Sequence, residues 1–232
     1  MTSKFRESIS FAPMNFIRSI WHLILKEIIL EFRLSYAISG ILLYVLSTVF
    51  IIYIAFKKVD PEVWNALFWI VMLFASVNAI GKSFVQENSN RQLYYYSLID
   101  PLAIILAKII YNVVLLALLG FIIWVAFSFI GGNPVEKSGQ FALAVFLGAS
   151  GLSITFTFIS AISAKADNSA TLMAILSFPL VIPILLTLVE FSGGAIGLFS
   201  NESFNHSIST LAGIDLLLVG GAIILFPFLW RD

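Results

Sequence analysis

Six long apolar stretches constrain this chain more than any other feature of its sequence. An α-helix needs about 20 mostly apolar residues to cross the hydrocarbon core of a bilayer. The stretches that reach or approach this length lie at about 36–56, 64–85, 104–130, 141–163, 171–189 and 210–230. Polar or turn-rich residues separate them at 57–61, 86–101, 131–134, 165–168 and 192–209. The sequence therefore predicts an all-α integral membrane protein with about six transmembrane helices.

Composition supports a single membrane domain over residues 1–232. Hydrophobic residues make up 60% of the chain and charged residues 11%, whereas a soluble domain is about half apolar and about a quarter charged. No polar stretch is long enough for a second globular unit. There is no cysteine and the net charge is zero, so disulfides are excluded and no nucleic-acid partner is expected. Charges spread through the first 35 residues disfavour a cleaved signal peptide.

Lysine and arginine residues predict the orientation of the chain, because they are concentrated in cytosolic segments of membrane proteins. With the N-terminus in the cytosol, ten of the 13 fall inside, and Lys57, Lys58 and Lys137 fall outside. Six spans return the C-terminus to the cytosol. An odd number of spans would place only Arg231 on the opposite side of the membrane. The count of lysine and arginine residues therefore supports the orientation more strongly than it supports the number of spans.

The segment at 16–34, before the first span, has the pattern of an amphipathic helix. Its apolar stripe contains Ile17, Ile20, Trp21, Ile24 and Ile28, and a second stripe contains Arg18, His22, Lys26 and Arg33. Such a helix lies in the membrane interface with its apolar face toward the acyl chains. The alternative is a cytosolic extension of the first span.

No catalytic or nucleotide-binding set can be assembled from the sequence. Gly81-Lys82-Ser83 resembles the end of a P-loop, but the motif needs a glycine where Ser76 stands. Lys82 is better explained as an anchor to lipid headgroups. His22 and His206 lie on opposite predicted sides and lack neighbouring ligands, so no metal site is predicted. An axial haem ligand role for His206 is conceivable, but a solvated loop histidine is favoured.

Three charged residues fall within the predicted spans, where ionisable groups are costly. Lys108, Glu190 and Asp215 each lie near a predicted span end, so snorkelling or an interfacial position explains them, with a transport role as the alternative. Asn78 and Asn112 are suited to hydrogen bonds between helices. The tryptophans fall mostly near span ends, as in an aromatic belt.

Two prolines, Pro179 and Pro183, predict a kink or break in the fifth span, because each removes a backbone donor. The carbonyls that they free must face protein or water. Such a helix serves either a transport path or packing. The candidates for a transport path are Pro179, Pro183, Glu190 and Asp215.

The cytosolic loop at 86–101 mixes charges with a tyrosine triplet. It is either a docking surface, because aromatic residues and arginine are favoured at interfaces, or an interfacial hairpin with its tyrosines in the headgroups. The docking candidates are Glu87, Arg91, Gln92, Leu93, Tyr94, Tyr95, Tyr96 and Asp100.

Three stretches resemble one known family. They are the charged segment 25–33, the loop from Glu87 through Arg91-Gln92-Leu93 to Lys108, and the proline-containing segment 176–186. On these residues the chain resembles the haem exporter protein B (CcmB) family, the permease subunit of an ABC transporter in cytochrome c maturation. The resemblance covers nearly the whole chain, and it implies an ABC exporter permease-like fold.

The resemblance also implies partners, a location and a role. The partners are an ABC ATPase subunit that carries ATP, a Trp-rich haem-handling membrane protein, a small single-span protein and a periplasmic haem chaperone. The chain is also expected to contact membrane lipid and a second copy of itself in a homodimer. The location is the bacterial inner membrane, the loop becomes an ATPase-docking site, and haem is a handled substrate and not a permanently bound cofactor. Whether this chain moves haem or couples ATP hydrolysis to release of the loaded chaperone stays open. The alternatives are a permease for a lipid or drug-like substrate and a non-transporting scaffold.

Overall fold

The chain folds as a bundle of α-helices. The structure is a computed structural model that describes residues 16–33, 36–56, 59–81, 83–84, 100–164, 166, 168–198 and 204–231. These residues contain seven helices and no β-strand. The helices are α1 (Phe16–Arg33), α2 (Tyr36–Ala55), α3 (Pro61–Ile80), α4 (Pro101–Gly131), α5 (Ser138–Ser163), α6 (Ser169–Ala195) and α7 (Phe204–Arg231). The predicted all-α class is confirmed.

Five of these helices are long and apolar enough to cross a membrane, namely α3 to α7. The apolar part of α2, at 39–55, is shorter, and α1 is not among the five. The described helices therefore define a multi-pass membrane protein, while a total of six spans stays a prediction.

Proline and aspartate set the starts of α3 and α4. Each helix begins with a proline, Pro61 or Pro101, preceded by an aspartate. Proline fits the first turn of a helix because the N–H that it lacks has no intrahelical acceptor there. The Asp100 carboxylate accepts a hydrogen bond from the Leu102 N–H at 2.9 Å. Both helices therefore begin before the apolar stretches predicted at 64 and 104.

The predicted break at 192–209 is mostly helical, which corrects the sequence-based boundaries. Helix α6 continues to Ala195 and α7 begins at Phe204. Ser192 does not end α6, because its hydroxyl donates to the Leu188 carbonyl within the helix at 2.6 Å. The earlier start of α7 moves Asp215 away from the helix end.

Helix α5 is the centre of the bundle and packs against α3, α4, α6 and α7. Every residue from 151 to 160 is buried. Its buried hydroxyls belong to Ser153, Thr155, Thr157, Ser160 and Ser163. The Asn112 amide of α4 donates to Thr157 Oγ1 at 2.8 Å, which confirms the predicted bond between helices. The Asn78 amide instead donates to the Phe74 carbonyl of its own helix.

Two apolar clusters divide the bundle along its length. The smaller contains Leu23 of α1 with Phe84, Ile105, Phe158 and Phe226, and we call this end of the bundle the α1 end. The larger cluster runs through the middle to the opposite end, which we call the far end. Helix α1 therefore packs on the bundle through one face, while Ile17 and Trp21 on another face stay exposed.

A buried aromatic cluster occupies the far end. It consists of Trp64, Phe68, Trp69, Trp124, Phe127 and Phe141, which are joined by ring contacts with centroid distances of 5.0–6.1 Å. Trp64 and Trp69 are each only 1% exposed. These two residues therefore stabilise the packing of α3, and the prediction that they belong to a headgroup belt is wrong.

The contact between α3 and α5 depends on a glycine. A Cβ at Gly148 would lie 2.5 Å from Cζ3 of the Trp69 ring and 3.1 Å from Leu188 Cδ1. The ring cannot move freely, because its Nε1 donates to Ser192 Oγ at 2.8 Å. Small residues allow membrane helices to approach each other in this way.

We expect Gly148→Ala to destabilise the folded protein by about 1–3 kcal/mol, since overpacking a tight core has costs of this size. The measurement is thermal unfolding of the purified protein in detergent. Gly139→Ala is the matched control on the same helix, because nothing lies within 4 Å of a Cβ at that position. Equal unfolding temperatures for the two variants would contradict the close approach.

Candidate functional site

A buried ion pair joins three segments at the α1 end of the bundle. Lys108 of α4 is 3% exposed, and its Nζ lies 3.2 Å from Glu27 Oε1 of α1. The same Nζ donates to the Ser83 carbonyl at 2.8 Å and lies 4.7 Å from the centroid of the Phe84 ring. We call Glu27, Ser83, Phe84 and Lys108 the α1-end junction.

The junction corrects the prediction that Lys108 snorkels toward the headgroups. Its charge is instead compensated inside the protein by Glu27, which also lies 3.0 Å from Lys26 Nζ. Two charges taken out of water are tolerated only when geometry and additional hydrogen bonds are good, and removing one partner leaves a costly buried charge. Lys108 therefore holds α1 in place on α4.

Two carboxylates on α1 have pKa values displaced in opposite directions. Burial alone would raise the pKa of Glu27, but the charges of Lys108 and Lys26 outweigh burial and hold it below the ordinary value of 4.5. Glu31 lies one turn further along the same face. Burial, together with the charge of Glu27, raises the pKa of Glu31 above its ordinary value.

The α1-end junction contains residues from both sides of the loop that the sequence predicts as a docking surface. Ser83 and Phe84 come before the loop, and Lys108 lies in α4, which follows it. Ser83 follows α3 directly before residues 85–99, and Asp100 starts α4 directly after them. The docking candidates Glu87, Arg91, Gln92, Leu93, Tyr94, Tyr95 and Tyr96 lie outside the described residues. Of that set the structure describes Asp100, which is exposed and caps α4.

A second polar site lies in the middle of the bundle. Asp215 stands nine residues after His206 and twelve before Pro227, the two ends of the apolar part of α7. Its Oδ2 is 2.6 Å from Ser150 Oγ of α5, and that hydroxyl is also 2.8 Å from the Leu147 carbonyl. Asp215 Oδ1 is buried and has no hydrogen-bond partner among the described residues. The predicted position of Asp215 near a span end is therefore wrong, and snorkelling does not explain it.

Glycine makes room for this carboxylate. A Cβ at Gly151 would lie 2.7 Å from Asp215 Oδ1 and 3.3 Å from Ile184 Cγ2 of α6. Asp215 therefore lies partly buried between α5, α6 and its own helix.

The other three transport-path candidates lie on the outer surface of α6. Pro179, Pro183 and Glu190 are all exposed, and α6 is continuous from Ser169 to Ala195, so it does not break at the prolines. The Thr187 hydroxyl donates to the Pro183 carbonyl at 2.9 Å. Asp215 is thus the one member of the four that contacts the interior of the described bundle.

A buried hydrogen-bond network at the far end was missed by the sequence analysis. Trp69 Nε1 donates to Ser192 Oγ at 2.8 Å, and Ser192 Oγ lies 2.7 Å from Asn65 Oδ1. The Asn65 amide donates to the Val189 carbonyl at 2.8 Å. The signal available in the sequence was Asn65, a polar residue directly after Trp64 within an apolar stretch. The network stabilises the contact between α3 and α6.

The two histidines lie at opposite ends of the bundle, His22 on α1 and His206 at the start of α7, and both are exposed. In the described ranges, no three metal-ligating side chains come together.

These helices define a multi-pass α-helical membrane protein in which the buried Lys108 is paired with Glu27 inside the bundle. Comparison with known families matches residues 18–230 to the CcmB protein family. The chain belongs to this family, whose members are ABC transporter permease subunits with a haem export role in cytochrome c maturation. Family membership implies partnership with an ABC ATPase and other components of that system. No individual curated protein matches the chain.

The α1-end junction predicts a specific pH dependence of stability. The pKa of Glu27 in the folded state lies below 4.5, so its stabilising contribution is complete above that pH and is lost as pH falls through the folded value. We expect the unfolding temperature of the unmodified protein to fall more steeply below pH 4.5 than that of Glu27→Gln. At neutral pH the variant should lose about 3 kcal/mol, because Lys108 remains buried without its partner.

Glu62→Gln is the control, since Glu62 is exposed in the first turn of α3. Glu31→Gln should act in the opposite direction. A raised folded pKa means that ionised Glu31 opposes folding above pH 4.5, so this variant should be more stable at neutral pH. Parallel curves for Glu27→Gln and the unmodified protein would contradict the assignment.

Proposed function

We propose that this chain is the membrane permease that works with an ATPase on a separate polypeptide to deliver haem to a periplasmic haem chaperone. The match to the CcmB family over residues 18–230 carries the proposal. The sequence supports the division of labour, because Ser76 stands where a P-loop needs glycine. ATP then binds the partner subunit, and haem is handled without being a resident cofactor.

The proposed orientation places the α1 end in the cytoplasm and the far end in the periplasm of the bacterial inner membrane. The distribution of lysine and arginine supports it, with ten of 13 on the predicted cytoplasmic side. The proposal includes an even number of spans and cytoplasmic termini. In this orientation the ATPase meets the loop at 86–101. The Trp-rich haem-handling protein, the small single-span protein and a second copy of this chain are the proposed membrane partners, and the haem chaperone meets the far end.

The proposed coupling path begins at the loop and passes through the α1-end junction. Closure of the ATPase moves the loop that carries Arg91 and the tyrosine triplet. Ser83 and Asp100 border this loop, and Lys108 binds the Ser83 carbonyl at 2.8 Å. A displacement of the loop therefore reaches α4 through Lys108 and α1 through Glu27.

The ion pair is suited to this role because it is directional and buried. A buried charge tolerates few geometries, so the junction favours discrete arrangements over gradual deformation. Coupling between sites requires an element with two arrangements whose equilibrium both sites bias. We infer that α1 and the start of α4 form this element, and that their packing on α5 transmits the change along the bundle.

The proposal predicts separate defects for the loop and the junction. Replacing Arg91 and Tyr94 to Tyr96 by alanine should abolish co-purification with the ATPase subunit. Lys108→Met should keep co-purification but lower stimulated ATP hydrolysis and cytochrome c formation about tenfold, which corresponds to a coupling free energy of about 1.4 kcal/mol. ATPase assays of the purified complex and cytochrome c levels in a strain lacking the family protein measure these effects.

Lys137→Met is the matched control, because Lys137 lies at the far end and is exposed. Unchanged assembly of the loop variant would exclude the loop as the docking site, and normal stimulation in Lys108→Met would exclude the junction as the relay. If the unmodified chain does not rescue cytochrome c formation in that strain, the haem assignment is wrong, and a lipid or drug-like substrate takes its place.

A further inference from the structure

Helix α6 is tied to other elements at the far end of the bundle. The Asn65 amide of α3 donates to the Val189 carbonyl at 2.8 Å. The backbone N–H groups of Glu136 and Lys137, in the turn before α5, both donate to the Ala195 carbonyl, at 3.1 and 3.0 Å. The last five residues of α6 are also all buried. These contacts fix the last turns of the helix, and we call residues 184–195 the far half of α6.

The first turns of the same helix, at 169–178, are held more loosely, and we call them the α1-end half of α6. Met173 is the one buried residue from 171 to 178, and the other inward-facing side chains are only half-buried. The Ser177 hydroxyl donates within the helix, to the Ala174 carbonyl at 3.2 Å. Few buried contacts are typical of a segment with low local stability.

Two prolines lie between these halves. Each N–H of an α-helix donates to the carbonyl four residues earlier, and proline has no N–H. Pro179 and Pro183 therefore leave the carbonyls of Ile175 and Pro179 without their usual donors, in two neighbouring turns. Val181 lies between the prolines and is buried in the larger apolar cluster, which gives the helix a fixed point there. Sharp bends in long helices occur at proline for the same reason.

We propose that α6 is a hinged helix, in which the α1-end half moves about residues 179–183 while the far half stays fixed. The anchoring hydrogen bonds lie on one side of the prolines and the loosely held residues on the other. Ser169 lies about 18 Å from Val181 at 1.5 Å per residue, so a bend of about 20° moves it by about 6 Å. Bending changes the packing of α6 at the α1 end alone. The proposal is independent of the cargo.

The buried residue of the α1-end half contacts the end of α3. A Cβ at Gly81 would lie 3.1 Å from Met173 Cε and 3.3 Å from its Sδ, so the thioether packs directly against this glycine. Gly81 caps α3 and stands two residues before Ser83, whose carbonyl binds Lys108. A methionine side chain is flexible and adapts its contacts to small shifts. A displacement at the end of α3 is therefore passed to the α1-end half of α6 through Met173.

Distances between spin labels, measured by double electron–electron resonance on the full chain in lipid nanodiscs, test the hinge. The chain has no native cysteine, so labels attach only at introduced cysteines. The first pair, Ile110→Cys and Ile175→Cys, joins α4 to the α1-end half of α6. The second pair, Phe129→Cys and Leu186→Cys, joins α4 to the far half. All four positions are exposed.

We expect the distance distribution of the first pair to be about 3 Å broader than that of the second, because Ile175 lies about 9 Å from Val181 and a bend of about 20° moves it by this amount. The double variant Pro179→Ala/Pro183→Ala restores both N–H donors, and the first distribution should narrow to the width of the second. Equal widths with both prolines present, or a first distribution that the alanines leave unchanged, would overturn the hinge. If the double variant does not fold, as judged by gel filtration, the comparison of the two pairs decides.

Met173→Ala tests the contact with Gly81 without any change at the prolines. Loss of the thioether should broaden the first distribution further and leave the second as it is. Phe178→Ala is the matched control, because Phe178 is exposed on the same half of α6, and both distributions should be unaffected. An unchanged first distribution in Met173→Ala, or equal broadening in Phe178→Ala, would show that Met173 does not restrain this half.

Discussion

The fold depends on the burial of α5 at the centre of the bundle, where the hydroxyls of Thr157 and Ser160 bond to neighbouring segments of the protein and not to water. Residues 151–160 of this helix are all buried although they include four hydroxyl side chains and a glycine. Asn112 reaches Thr157 from α4, and the Gly81 carbonyl accepts from Ser160 Oγ at 3.3 Å. A buried polar group without a partner costs stability in an apolar medium. Helices α3, α4, α6 and α7 pack around α5.

The two charged sites of the bundle rest on this centre at different depths. At the α1 end, Lys108 and Glu27 compensate each other, and their contact ties α1 to the start of α4 and to Ser83. In the middle, Asp215 of α7 hydrogen-bonds to Ser150 of α5 and lies beside Gly151. In the proposed function, the first arrangement transmits a displacement of the loop at 86–101.

The class of protein could be predicted from the sequence because the length and apolarity of a span are local properties. Helix starts at Pro61 and Pro101 are also local, although the apolar pattern begins three residues later in each case. The break predicted at 192–209 was too long at both ends, because one helix continues to Ala195 and the next begins at Phe204. Its serines and glycines are typical of loops, but Ser192 bonds within α6 and the following residues are buried.

The sites could not be predicted in the same way, because their partners are distant in the chain. Lys108 and Glu27 are separated by 81 residues, so Lys108 was interpreted from its own span alone as a snorkelling side chain. Asp215 was misplaced because the start of its helix was misplaced. The tryptophans were assigned to the membrane surface by their sequence positions, whereas ring contacts bury Trp64 and Trp69.

Cysteine accessibility along α5 tests most directly whether this helix is a packed centre. The chain has no native cysteine, so single cysteines placed at each position from 151 to 160 can be labelled without background in membranes free of ATP. A packed α5 predicts that all ten positions resist both membrane-permeant and impermeant maleimides. Labelling that recurs every three or four residues would show a water-filled path along one face of α5 and would contradict the account.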